Sequence, residues 1–138
     1  MSGPWVLSTD GAARGNPGPA GAGAVLQAPD GRVVGELAVG LGRLTNNEAE
    51  YRALLLGLQL AQRHRVERLR VRMDSELVVR QLSGQYRVRK PHLRPLFDAA
   101  RSLMAGFEHC EVCHVPREQN AEADRLANAG IDAGGAGG

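Results

Sequence analysis

The stretch STDGAARGNPGPAGAGAVL, Ser8 to Leu26, sets one acid against a loop almost free of bulk. Asp10 follows a short apolar run, Trp5 to Thr9, that reads as a first strand. Gly and Pro then recur at nearly every other position, and an apolar run of small residues follows. A turn alone needs less than this. A strand-end carboxylate with so open a loop beside it has room for a metal ion and for a polymer backbone.

Outward from this stretch, Ala20 to Ala28 and Arg32 to Leu41 read as two strands. Pro29-Asp30-Gly31 between them is a turn signal, so they form a hairpin. Asn46 to His64 carries the longest helical pattern, with Ala53, Leu54, Gly57, Leu58 and Ala61 on one apolar stripe. Asn46 or Asn47 is of a type that caps such a helix. Arg68 to Met73 alternates Leu69, Val71 and Met73 against arginines and reads as a fourth strand.

Asp74-Ser75 opens a short helix over Glu76 to Leu82 that stops near Gly84. Gln85 to His92 is a basic connector, and Pro91 sits at or just before a helix running to about Ala105. Glu108 to Val115 is a fifth strand, and Gln119 to about Asp132 is a last helix. The Gly-rich residues 134–138 are expected to be a flexible tail after a single domain over residues 1–133. A hairpin followed by alternating helices and strands predicts an α/β fold with a mixed sheet, antiparallel first and parallel later.

With 138 residues, 43% hydrophobic and 23% charged, the chain has the composition of one globular domain. A net charge of +2 demands no polyanionic partner, so an interaction with nucleic acid must rest on local patches. No basic and apolar leader opens the sequence, and no apolar stretch approaches the ~20 residues of a membrane span, so the expected location is the cytoplasm. The two cysteines, Cys110 and Cys113, form a lone CxxC on a strand pattern. An odd offset there puts them on opposite faces, which disfavours a shared metal or redox role.

Four acids stand apart. Asp10 and Asp74 fall at strand ends, where ligands gather in an α/β sheet. Glu50 is in register with Ala53, Leu54 and Gly57, so it faces the sheet. Asp124 is in register with Ala127 and Ile131 and faces inward as well. Taken singly, each has an ordinary explanation as a turn former or as a charge at a helix N-terminus. Converging carboxylates with no basic partner resist ionising together. A pair of divalent cations resolves that conflict, and Mg²⁺ or Mn²⁺ suits all-oxygen ligands.

These segments (STDGAARGNPGPAGAG, TNNEAEYRALLLGL, RVRMDSELVV and HVPREQNAEADRLAN) together resemble type 1 ribonuclease H over Leu7 to about Ala129. The resemblance implies a ribonuclease H-like fold: a five-stranded mixed sheet, strands 1-2-3 antiparallel and 1-4-5 parallel, flanked by helices. It implies a monomeric endoribonuclease that uses two Mg²⁺ or Mn²⁺ ions, bound with substrate, to cut the RNA strand of RNA/DNA hybrids. The ends left are 3′-hydroxyl and 5′-phosphate, and double-stranded RNA is a further possible substrate. The family's four acids fall on Asp10, Glu50, Asp74 and Asp124; Glu50 lies five residues after Thr45, which makes Glu48 a decoy.

The resemblance also implies substrate contacts from Gly11, Asn16, Thr45, Asn46 and Asn47, with Gly11, Gly15 and Gly18 keeping the loop low for an approaching duplex. Many members carry a catalytic His on a long loop before the last helix. Here that loop is shortened to Val115–Asn120, leaving Arg117 as an auxiliary catalytic candidate and His114 as a strand residue. The basic handle of many bacterial members is missing too, but Arg87, Arg89 and Lys90, with Arg94 and Tyr86 nearby, remain as a basic patch for the DNA strand. The short form resembles archaeal and some bacterial members, a subgroup that can occur fused to other catalytic domains. Two rival readings keep the fold: a catalytically silent module binding hybrids or double-stranded RNA, and another two-metal nuclease. Retention of all four acids disfavours the first. Against the second, no exonuclease-type DxE follows Asp10.

Overall fold

A computed structural model describes residues 3–136. The strands are β1 (Trp5–Ala13), β2 (Gly18–Gln27), β3 (Val33–Leu44), β4 (Arg68–Met73) and β5 (His109–His114). They form one sheet in the order β3-β2-β1-β4-β5. The β1–β2 and β2–β3 pairs are antiparallel, and the β1–β4 and β4–β5 pairs are parallel. The helices are α1 (Asn46–Arg63), α2 (Glu76–Leu82), α3 (Arg94–Ala105) and α4 (Ala121–Ala136), with a 3₁₀ turn at Arg117–Gln119. This is the mixed α/β sheet that the sequence pattern predicts.

The apolar stripe of α1 packs on β1 and β2, burying Ala53, Leu54, Gly57, Leu58 and Ala61. Leu54, Leu58, Leu69, Val71 and Leu7 are all fully buried, each of the larger ones stabilising by roughly 1.5–3 kcal/mol. The alternation in β4 does what a half-covered strand requires: Leu69, Val71 and Met73 are in the core while Arg68 and Arg70 are exposed. On the other face α4 covers β2, β3 and part of β1. Its approach is close, since a Cβ on Gly23 would collide with the Ala123 carbonyl.

Several boundaries differ from the sequence expectation. β1 does not end at Thr9. It runs to Ala13 because β2 keeps pairing with it, from Asp10↔Gly23 to Ala13↔Ala20. Asp10 is therefore inside a strand; only the parallel pairing with β4 stops short of it, at Ser8↔Arg72. The helix after the basic connector begins at Arg94 rather than near Pro91, with Pro95 in its first turn, where a missing N–H costs nothing. The predicted short loop Val115–Asn120 holds a 3₁₀ turn over Arg117–Gln119, and α4 starts at Ala121 and runs past Asp132 to Ala136. The expected tail falls on the end of this helix and on residues 137–138, which lie outside the described residues.

Candidate active site

The four acids reach one cleft from four elements. Asp10 projects from β1 and is 5% exposed. Asp74 follows β4 directly, ahead of Ser75, whose hydroxyl caps α2 by accepting from the Val78 N–H. Glu50 lies in the second turn of α1 and accepts the Gly11 N–H at 2.8 Å. Asp124 lies in the first turn of α4, where the helix dipole favours an acid. Carboxylate oxygens of Asp10, Glu50 and Asp74 all lie within 4.8 Å of one another. Asp124 stands outside that tight group but lines the same cleft of about 430 Å³, together with Gly11, Ala13, Asn46 and Arg117.

Electrostatics define what this cleft can hold. Burial, then the charges of Glu50 and Asp74, then the Asp124 carboxyl through a hydrogen bond and its charge, push Asp10 up to about 9. Burial likewise pushes Glu50 up to about 8, with Asp74 and Asp124 adding to it and the Gly11 N–H working against it. Such a group is a poor site for bare negative charge and a good one for hard divalent cations, which take carboxylate oxygens as ligands. The donor set and its spacing fit a metal centre.

The expected substrate contacts divide. Gly11 does not offer its amide to a ligand, because Glu50 holds it. The lack of a side chain at Gly11 admits α1 to the sheet, because a Cβ there would collide with the Ala49 carbonyl. Gly15, with φ +108°, and Gly18, packed on the Arg14 carbonyl, serve the β1–β2 turn. Thr45, not Asn46 or Asn47, caps α1; its hydroxyl accepts the Glu48 N–H, and Glu48 reaches back to the Thr45 N–H at 2.9 Å. That reciprocal box occupies the Thr45 hydroxyl and explains Glu48 without catalysis. Asn16 accepts the Asn46 N–H at 3.0 Å and Asn46 accepts the Ala13 N–H at 3.2 Å, locking the hairpin to the start of α1.

Arg117 sits on the 3₁₀ turn, 81% exposed, with its guanidinium 3.9 Å from Asp124. His114 is the exposed last residue of β5 and lies outside the set of residues lining the acidic cleft. Arg87, Arg89 and Lys90 line a second cavity of about 420 Å³ with Tyr86, Gln81, Leu93 and Asn47. Arg94 is instead paired with Asp98 at 3.2 Å. Two residues behind the acids were invisible to sequence reasoning. Asn120, 2% exposed, donates its amide to the Thr9 carbonyl at 2.9 Å, and Arg72 donates to the Gln119 carbonyl at 3.3 Å. Asn120 has the residue type of a helix N-cap, but its partner lies 111 residues away in the chain, and no local pattern encodes that.

Residues 8–130 match the family described as Reverse transcriptase-like. Ribonuclease HI of Halobacterium salinarum is 46% identical over 123 residues, 89% of this chain and 62% of that protein. A crystal structure of RNase H1 from the same archaeon superposes with a TM-score of 0.91 at 44% identity, covering 94% of this chain and 98% of that one. The bifunctional protein Rv2228c of Mycobacterium tuberculosis is 46% identical over 129 residues, which are 93% of this chain and 35% of that protein. The chain thus spans less than two thirds of either curated relative. LC11-RNase H1, solved in complex with RNA/DNA hybrid, superposes with a TM-score of 0.89 at 40% identity, covering 94% of this chain and 98% of that one.

Proposed function

The chain belongs to the ribonuclease H family, and from that premise we propose that it hydrolyses the RNA strand of RNA/DNA hybrids as a metal-dependent endonuclease. The observation that carries this reading is the convergence of the Asp10, Glu50 and Asp74 carboxylates within 4.8 Å, with Asp124 on the rim of the same cleft. These four residues would hold two Mg²⁺ or Mn²⁺ ions once substrate is bound. Bound there, the ions supply the charge neutralisation that in-line phosphodiester hydrolysis requires. Water adds to phosphorus as the bond to the 3′-oxygen breaks, leaving a 3′-hydroxyl and a 5′-phosphate.

The protein's own part is placement. The Gly11 N–H and the close seat of α1 fix Glu50 against Asp10. At the start of α1, Asn46 lies in the cleft, fixed by Asn16 and Ala13, and would offer its side-chain N–H groups to a phosphate beside the acids. Arg117 reaches toward the departing phosphate from its exposed turn. Arg87, Arg89 and Lys90 grip the DNA strand from the cavity beside α2. All four acids come from one chain, which supports action as a monomer. The 2′-hydroxyls of the RNA strand are the groups that separate it from DNA.

The test uses end-labelled hybrid, DNA and RNA duplexes, each with Mg²⁺, Mn²⁺ or excess chelator. Cleavage of the hybrid's RNA strand with either ion, and none with chelator, is expected. Undiminished cutting in chelator, or an intact hybrid under every condition, overturns the reading. The RNA-duplex arm decides whether double-stranded RNA is also a substrate.

A further inference from the structure

The corner between β5 and α4 is tied to the sheet one residue from Asp10. Parallel pairing of β1 with β4 ends at Ser8↔Arg72, and the Asn120 amide takes up the Thr9 carbonyl just beyond. The carbonyl of Asn120 in turn accepts the Asp124 N–H at 3.1 Å. One buried residue therefore links the backbone that carries Asp10 to the first turn of the helix that carries Asp124. Its other side-chain atom, Oδ1, is buried without a hydrogen-bond partner among the described residues. Such a group costs about 1–3 kcal/mol of stability, which offsets the gain from the bond to Thr9. The Arg72 guanidinium holds the neighbouring Gln119 carbonyl and stiffens the same corner.

We infer that Asn120 is a positioning residue that sets the separation of Asp124 from Asp10 and so tunes the affinity of the metal centre where those two acids meet. The inference rests on the proposed metal-dependent reading for its chemistry, while the tie itself rests on geometry. Residues that orient metal ligands through hydrogen bonds typically change metal affinity or activity by 10–100-fold when removed. Asn120, 2% exposed, acts on both ligands at once through backbone.

The test titrates Mn²⁺ calorimetrically onto wild type, Asn120→Ala and Tyr51→Phe, without nucleic acid. Tyr51 donates a buried hydrogen bond to Gln81 at 2.6 Å between α1 and α2, away from Asp124, so Tyr51→Phe matches the structural loss. The expected result is Mn²⁺ binding weakened about tenfold in Asn120→Ala and unchanged in Tyr51→Phe. Should Asn120→Ala fail to fold, Asn120→Ser supplies a side-chain cap for α4 but is too short to reach the Thr9 carbonyl, and the same weakening is expected. With hybrid present, kcat should fall while KM for the duplex holds. Wild-type Mn²⁺ affinity in a folded Asn120 variant overturns the inference, as does equal weakening in Tyr51→Phe. Weakened binding in the Asn120 variant supports it even if wild type leaves hybrids uncut, a result that would sink the proposed activity alone.

Discussion

The Gly11 N–H donates to the Glu50 carboxylate at 2.8 Å, across 39 residues of sequence. The contact exists because Gly11 has no side chain: a Cβ would collide with the Ala49 carbonyl, and α1 would have to withdraw. Gly11→Ala therefore moves Glu50 as well as overpacking the interface. We expect a loss of about 1–3 kcal/mol in stability, with hybrid cleavage falling further than the loss of folded protein accounts for. Thermal melts and rates per folded molecule separate the two. Wild-type rates in the folded variant would show that α1 is held by other contacts.

Glu50 and Glu48 are two residues apart and do different work. Glu48 closes the capping box with Thr45, a task Gln performs as well. Glu48→Gln should keep most activity and lose less than about 1 kcal/mol of stability. Glu50→Gln should abolish hydrolysis while leaving the chain folded. Steady-state rates for both variants decide; a dead Glu48 variant beside an active Glu50 variant would mean that the wrong face of α1 meets the metal.

The stripe on α1 placed Glu50 correctly because helical period alone fixes which face meets the sheet. Likewise β4 and α2 were legible to the residue, since alternation and the Asp74-Ser75 start are local signals. The end of β1 was not, because whether the strand continues past Asp10 depends on β2 pairing with it. The glycines after Asp10 were legible as a need for space, but the internal neighbours that fill it were not. For Gly11 the neighbour is the backbone of α1, and for Gly18 the Arg14 carbonyl. The Asn120 tie depends on a partner far along the chain, and the 3₁₀ turn, held by local bonds from the Gln119 and Asn120 N–H groups, is too short to leave a periodic signal.

Metal-free stability should fall with rising pH. Asp10 and Glu50 keep their protons up to about 9 and about 8 in the folded chain, whereas unfolded carboxyls release theirs near pH 4. Across that window the folded state holds more protons, so stability is fully present at the acidic end and is lost as pH rises through the folded values. The melting temperature in chelator should decline from about pH 4 to about pH 9, and saturating Mg²⁺ should flatten the decline by replacing protons with the ion. A melting temperature that climbs over this range in chelator would contradict the crowding of these acids.

The cavity formed by Arg87, Arg89, Lys90 and Tyr86 predicts a specific salt signature. Neutralising the three cations together should weaken hybrid binding and leave the maximal rate nearly unchanged, because they lie apart from the acidic cleft. Each phosphate that is no longer neutralised should lower the log–log salt slope by roughly 0.7–0.9. Binding titrations of wild type and triple variant over a salt series measure this directly. An unchanged slope would assign the patch to solvated surface.

Arg117→Ala should slow turnover more than His114→Ala does. Arg117 lines the cleft and brings its guanidinium to 3.9 Å from Asp124, while most of the side chain is exposed and can swing. His114 is fixed at the end of β5, in register with Met73, and the next N–H, on Val115, is bonded to the Met73 carbonyl at 2.9 Å. A residue on that ladder cannot follow a departing phosphate. Removing a group that positions phosphate or speeds product departure should reduce the rate by about 100-fold, the low end for positioned groups, whereas removing a metal ligand should abolish it. Single-turnover and steady-state kinetics separate the two stages at which Arg117 can act. A loss confined to steady state places it in product release; a loss in both places it in the chemical step. Severe loss in His114→Ala with Arg117→Ala near wild type would mean that the end of β5 opens far enough for the imidazole to reach the cleft.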